Sequence, residues 1–280
     1  MYKQKIGIST GNDYALPIGE VLKIIKSAGF EAISPAWRTE AVLEETVGIA
    51  RELGLELQSL HAPFGRAADM WSSDEAVALV AKNELLSVVD SCVKFGIPVM
   101  VVHVWKGFDY TFDGKSLSFA TFDALVEHAG RCGVKIAFEN TEGLEYLLAV
   151  MERYEGNPTV GFCWDSGHEM CYNYSEDILG RFADRLYMTH LNDNLGVSRY
   201  DGKTYWTDDL HLLPYDGIAD WDYNIERLRS ARPLPILNLE LVIGSKPGRH
   251  DNDAYAKMSL EEYFAAAYNR ACRIAYRYAK

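Results

Sequence analysis

Six short β-branched runs each end in a side chain able to hold a metal ion or move a proton. They are His61 in SLHAPF, His103 in VVHVW, Glu139 in AFEN, Asp165 in WDSGH, His190 in THLND and Glu240 in LELVIG. His168 follows Asp165 three residues on, and a later segment adds Asp209 and His211 in an Asp-x-His arrangement. Imidazoles and carboxylates together are the usual ligand set of Zn²⁺, Mn²⁺, Co²⁺ or Fe²⁺, and carboxylates alone suit Mg²⁺. Each residue also has a bland reading. A lone strand-end histidine can be a hydrogen-bonded core residue, the glutamate of AFEN a solvated loop residue, and Asp165 the cap of a turn. Together they resist that reading: five of the seven histidines (His61, His103, His168, His190, His211) fall at or just beyond a strand end, and His128 and His250 do not.

The elements that must carry these residues alternate strictly. Strand-like runs are expected over 5–9, 31–34, 55–60, 99–103, 135–139, 159–164, 185–190 and 235–241. Helical periodicity is expected over 18–28, 39–53, 74–95, 116–132, 143–154, 175–182, 222–231 and 259–278. The third helix has Ser72, Ser73 and Asp74 as N-cap oxygens and an apolar stripe of Val77, Val80, Leu85, Val88 and Val89. Gly29, Gly54, Gly96 and Gly133 fall where a left-handed C-cap needs a residue without Cβ. Eight strands alternating with eight helices predict a parallel sheet covered by helices, closed as a (β/α)8 TIM barrel, an α/β fold. An open doubly wound sheet is the alternative. The 280 residues suit one barrel of ~250 residues, so residues 1–280 are read as a single domain. In a barrel the strand ends share one mouth, which brings the six runs to one rim. A long irregular stretch, 192–220, is expected to be functional.

Composition weighs against several classes. A net charge of −12, from 28 Lys+Arg against 40 Asp+Glu, with no basic cluster, disfavours a nucleic-acid partner. No apolar run approaches the ~20 residues of a membrane helix, so no membrane partner is expected. The N-terminal MYKQKIGIST runs into a strand pattern without a signal-peptide core, and the five cysteines form no CxxC pair; a cytoplasmic location with reduced thiols is expected. Homo-oligomerisation is left open.

The motifs SLHAPF, VVHVW, AFEN, WDSGH, THLND, DLHLLPYDGIADW and LELVIG occur in an order that resembles the xylose isomerase-like TIM barrel superfamily, which includes sugar phosphate isomerases/epimerases and endonuclease IV. WDSGH followed by HLND is the more specific pair. The resemblance covers nearly the whole chain. It implies that Glu139, Asp165, His190 and Glu240 hold one divalent metal (Mn²⁺, Zn²⁺, Co²⁺ or Mg²⁺). It also implies that His168 contacts a substrate oxygen, that His61 and His103 line the pocket, and that Asp209 and His211 close it.

The chemistry expected is isomerisation or epimerisation of a sugar, sugar phosphate or polyol derivative through an enediolate, with Glu139 and Glu240 as the proton-transferring carboxylates and His168 assisting. Dehydration of an inosose-like ketone is a close variant. Trp37, Trp71, Trp105, Trp164 and Tyr215 are candidates to stack on a sugar, Trp105 foremost. Arg66, Arg199, Lys203, Lys246 and Arg249 are candidates for a substrate phosphate. Two other readings compete: a zinc phosphodiesterase of the endonuclease IV type, with all nine positions binding three zinc ions, and a non-catalytic carbohydrate-binding barrel. GRAADMW (65–71) departs from the endonuclease pattern, and a count of bound metals separates the two enzymes.

Overall fold

A computed structural model describes residues 4–11, 14–115 and 117–280 of the chain. The strands are β1 (Lys5–Ser9), β2 (Ala32–Ser34), β3 (Glu56–Leu57), β4 (Leu60–His61), β5 (Val99–His103), β6 (Lys135–Glu139), β7 (Val160–Asp165), β8 (Leu186–His190) and β9 (Ile236–Leu239). The expected strand over 55–60 is thus two pieces, broken at Gln58 and Ser59. All pairings are parallel, in two arcs ordered β3-β2-β1-β9 and β4-β5-β6-β7-β8. Single bridges join the arcs: Ala36 with His61 at one seam and Leu191 with Leu239 at the other. Backbone bonds reinforce both, Trp37 N to His61 O at 2.8 Å and Leu191 N to Asn238 O at 2.8 Å. The strands thus follow one another round a TIM barrel.

The helices are α1 (Ile18–Ala28), α2 (Glu40–Glu52), α3 (Glu75–Phe95), α4 (Ala120–Cys132), α5 (Leu144–Arg153), α6 (Ser166–Cys171), α7 (Ile178–Arg181), α8 (Trp221–Ser230) and α9 (Leu260–Tyr278). Asp74 caps α3 by accepting from Ala76 N and Val77 N, and Ser259 and Glu262 form a capping box on α9. Gly29, Gly54, Gly96 and Gly133 all have positive φ, as their places after helices require. Four expectations need correction. α4 begins at Ala120, and the expected start at Ser116 lies outside the described residues. The helix expected over 175–182 is one turn, α7, because Tyr174 and Ser175 take positive φ and break the chain there. α6 was not anticipated: Gly167 weakens its helical propensity, and Asp165 nucleates it by accepting from His168 N. The buried stripe of α3 starts at Ala81, leaving Val80 48% exposed.

Inside the barrel Val101, Ala137, Cys163 and Met188 fill one layer; a larger core lies between the strands and the helices. Register decides what reaches the mouth. His103 pairs with Glu139, and Asp165 pairs with His190. The second pairing depends on an irregularity: Phe162 faces Leu186, but Cys163 faces Met188, so Tyr187 is an extra residue on β8. Side chains alternate along a strand, so without that extra residue Thr189 would stand beside Asp165 and His190 would turn outward. Gly161 leaves room for the Tyr187 ring, since a Cβ there would lie 2.2 Å from it. No helix among the described residues is long and apolar enough to cross a membrane.

Candidate metal centre

β6, β7 and β8 end in Glu139, Asp165 and His190, and Glu240 directly follows β9. One ligand atom from each lies within 4.8 Å of the others. His190 Nδ1 sits 2.9 Å from Glu139 Oε1 and 2.9 Å from Glu240 Oε2, so both carboxylates address the same ring nitrogen. Glu139 is the hub. Its Oε2 lies 3.1 Å from His103 Nε2 and 3.3 Å from His61 Nε2, and its Oε1 lies 3.5 Å from His168 Nδ1. Glu139, Asp165 and His190 are fully buried.

Two asparagines hold Asp165 in place. Asn140 accepts from Asp165 N and donates to Asp165 O (2.8 and 2.9 Å), and Asn192 Nδ2 donates to Asp165 Oδ2 at 2.9 Å. Ser166 Oγ donates to Asn192 O at 2.6 Å and completes the clamp. Both asparagines sat unremarked in AFEN and THLND; the available cue was an amide one or two residues after a ligand. Ser9, at the end of β1, donates from Oγ to Glu240 Oε1 (3.3 Å) and leaves Oε2 toward His190. A hydrogen bond to a charged group contributes ~1.5–3 kcal/mol. Ser9→Ala is therefore expected to lower turnover about tenfold while metal content stays at the wild-type level. Steady-state kinetics beside elemental analysis check this, and an unchanged rate would dismiss Ser9 as a support for Glu240.

The electrostatics suit a cation. Burial resists ionisation of Glu139, yet His190 and His103 hold its carboxyl well below the ordinary value. Burial likewise opposes charge on Glu240, but His190 brings it down to about 2. Burial dominates at Asp165 and raises it, with Glu139 and Glu240 adding repulsion against the pull of His168 and His211. His190 is raised well above its usual value despite burial; Glu139 and Glu240 are the charges responsible, since the Cys163 thiol beside it is itself pushed up to about 12 by burial and stays neutral. Burial also opposes charge on His211, and Asp209 overcomes it, lifting the ring to about 9. The carboxylates thus draw protons onto imidazoles, which is the demand a divalent ion would meet. The donor set is two glutamates, an aspartate and a histidine, all fixed by strand ends or hydrogen bonds. It fits such an ion.

Above this cluster lies a cavity of about 320 Å³, with walls that include Ser9, His61, Phe64, His103, Lys106, Phe108, Glu142, His168, Tyr172, Trp206, Asp209, His211, Glu240 and Lys246. His61, His103, His168, Asp209 and His211, expected here, all line it. His168 Nδ1 donates to Asn140 O (2.9 Å), so Nε2 faces Asp209 Oδ1 at 3.4 Å; His211 Nε2 lies 2.8 Å from the same oxygen. Trp105 is placed elsewhere. Its ring stacks on Tyr146 (4.1 Å, 1°) and its indole donates to Gly107 O. Trp37, Trp71 and Trp164 likewise spend their indole N–H groups on Ser91, Val104 and Glu169. The aromatic walls are Phe64, Phe108, Tyr172 and Trp206 instead. Among the five cations expected near the mouth, Arg66 pairs with Asp69 and Arg249 with Asp208 and Asp251, Arg199 lies over Tyr205, and Lys203 is outside the cavity wall. Lys246 alone of them lines it, 3.4 Å from Asp209 Oδ2. Lys106 and Glu142 were missed: one follows an apolar strand and the other sits in a loop, with no spacing to mark either.

Residues 22–264 match the family described as xylose isomerase-like TIM barrel. An uncharacterized protein of Sinorhizobium fredii, y4fM, is 29% identical over 89% of this chain and 90% of its own length. Two solved structures share the fold. An IolI protein with a bound zinc atom has a TM-score of 0.71 at 18% identity, over 98% of this chain and 99% of its own. An L-ribulose 3-epimerase has a TM-score of 0.72 at 14% identity, over 99% of this chain and 96% of its own.

Proposed function

The chain belongs to the xylose isomerase-like TIM barrel family, and from that premise we propose that it is a divalent-metal-dependent isomerase or epimerase of a sugar, sugar phosphate or polyol derivative. The observation that carries this reading is the convergence of Glu139, Asp165, His190 and Glu240 on one point beneath an open, aromatic-walled cavity. These four would hold the cation, with Mn²⁺, Zn²⁺, Co²⁺ and Mg²⁺ all compatible with the donors. A cation there would polarise a carbonyl and the hydroxyl beside it, which lowers the barrier to removing the proton on the intervening carbon.

The proton itself falls to the chain's own groups. Glu139 ends β6 and Glu240 follows β9, on either side of β8, which carries His190; in this reading one carboxylate takes a proton from a substrate carbon and the other returns it on the opposite face. Proton transfer by a positioned group contributes about 10²–10⁴-fold. His168, its tautomer set by Asn140 O, would present Nε2 to a substrate oxygen and steady the enediolate. His61 and His103 would orient hydroxyls, and Asp209 with His211 would cover the bound sugar. Two solved epimerases of this fold are named for D-psicose and L-ribulose, both ketoses, which makes ketoses the first substrates to try.

Chelation should abolish turnover, and one equivalent of Mn²⁺ or Co²⁺ per chain should restore it; by linkage, a cation at ~1,000 times its Kd adds about 4 kcal/mol of stability. The assay is NMR of solvent-deuterium exchange into a panel of ketoses and inososes, with metal content measured alongside. Full exchange after chelation would end the reading.

One observation keeps the phosphodiesterase reading alive. His61, His103 and Glu139 form a second group of ligand atoms within 4.8 Å, and Asp165, His168 and His211 a third. Three metals per chain with cleavage of an abasic-site duplex would support it, against the chain's net charge of −12. Binding of sugars without exchange at any metal content would leave the carbohydrate-binding barrel.

A further inference from the structure

We propose that the substrate carries a phosphate or carboxylate at the end remote from its reacting carbons, and that Lys106 and Lys246 receive this oxyanion at the cavity mouth. The inference rests on the reading above for the sugar or polyol part of the ligand, and adds its charge and orientation. Lys106 lines the cavity, and its ammonium lies within ion-pair range of no carboxylate among the described residues; its contact is the face of the Phe64 ring, 4.5 Å away. In a chain of 40 acidic and 28 basic residues, a lysine left without a carboxylate on the wall of an acidic cavity is unexpected on electrostatic grounds.

Its platform ties it to the reacting centre. Phe64 stacks on His103 (4.7 Å, 17°), and His103 Nε2 lies 3.1 Å from Glu139 Oε2. The cation is therefore mounted above the metal-binding cluster by a continuous stack. Lys246 approaches the same cavity from the β9 side, 20% exposed, beside Asp209. Glu142, on the same wall, forms no ion pair with Lys106; its Oε1 accepts from Gly107 N at 3.0 Å.

The floor supplies the orientation. Glu139 and Glu240 set carboxylate oxygens at the bottom of the cavity, so an anionic substituent meets like charge there and is drawn instead to the lysines at the top. The neutral end, with its carbonyl and hydroxyls, is then left facing Glu139 and Glu240. A bare ammonium is a point-charge anchor that takes either oxyanion.

The test is calorimetric and independent of turnover. D-Sorbitol, D-sorbitol 6-phosphate and D-gluconate are titrated into metal-loaded and chelated protein, wild type and Lys106→Met. The wild type is expected to bind at least one anionic probe about tenfold more tightly than D-sorbitol, the gain of one charge-assisted contact. That ratio should fall toward one in Lys106→Met and weaken with added salt. Whichever probe shows it identifies phosphate or carboxylate as the group. Equal affinities in the wild type, a ratio untouched by Lys106→Met, or no binding of either anionic probe at millimolar concentration would overturn the proposal. Failure of the metal-dependent reading is separate: it would be seen as absent metal uptake or chelator-resistant exchange.

Discussion

Replacing Glu139 with glutamine is expected to reduce turnover by about 10²–10⁴-fold and to weaken metal binding by well over tenfold. Glutamine keeps the shape and removes the charge that four histidines and the proposed cation share. Glu139 is fully buried and within 3.5 Å of His61, His103, His168 and His190, and it is the one carboxylate among the described residues that pairs with His61 and His103. His61, His168 and His190 would lose a carboxylate that favours their charged forms, and Glu240 would be left as the one glutamate beside His190 Nδ1. Elemental analysis, metal titration and deuterium exchange read the effects separately. Glu240→Gln should behave differently in one respect: if the two carboxylates serve opposite faces, one epimer should still exchange its proton while epimerisation stops. A Glu139→Gln protein with native metal content and native turnover would remove the residue from both roles.

The second large effect is on stability. Asp193→Ala is expected to destabilise the protein by about 3–5 kcal/mol and lower its Tm by roughly 10 °C. Asp193 is fully buried and accepts four hydrogen bonds: Asn194 N and Ala219 N on Oδ1, Tyr215 N and the Trp221 indole on Oδ2, all between 2.8 and 3.0 Å. Alanine would strand four donors, two buried and two part-buried; a buried one costs ~1–3 kcal/mol if left without a partner, and water partly relieves the others. These donors pin the long segment that carries Asp209 and His211. That segment holds His211 at φ 48° and Tyr215 at φ 73°, conformations that non-glycine residues adopt only when their surroundings impose them. Gly217 packs so closely on Asp193 that a Cβ would lie 2.2 Å from Oδ1. Denaturant unfolding measures the loss, and limited proteolysis should show new cleavage between residues 195 and 220. Native stability and an intact segment would show that the carboxylate is dispensable. Asp193→Asn keeps one acceptor oxygen and should fall between the two.

These two residues illustrate what was legible in advance. Glu139 was readable because a carboxylate at the end of an apolar strand has few structural reasons to be there, and five other runs ended the same way. Asp193 stood in the THLND motif, but its work as an acceptor for four donors spread over 28 residues has no local pattern. Trp105 beside His103 invited a sugar-stacking role, and only packing against Tyr146 decided otherwise. Lys106, next in the chain, gave no hint of chemistry until Phe64 and the cavity were in place.

Alternating short β-branched runs and helical stripes, read along the chain, were enough to determine the number of barrel units, their order and the end of each strand that carries the polar residues, because side-chain periodicity is a local property. Tertiary structure decided what depends on register and on distant partners. The extra residue at Tyr187 switches the parity of β8, and that alone turns His190 inward beside Asp165. Asn140, Asn192 and Ser9 become supports of the centre only once the strands stand side by side. Which face a strand end presents, and what it meets there, is set by neighbours that closure of the barrel supplies.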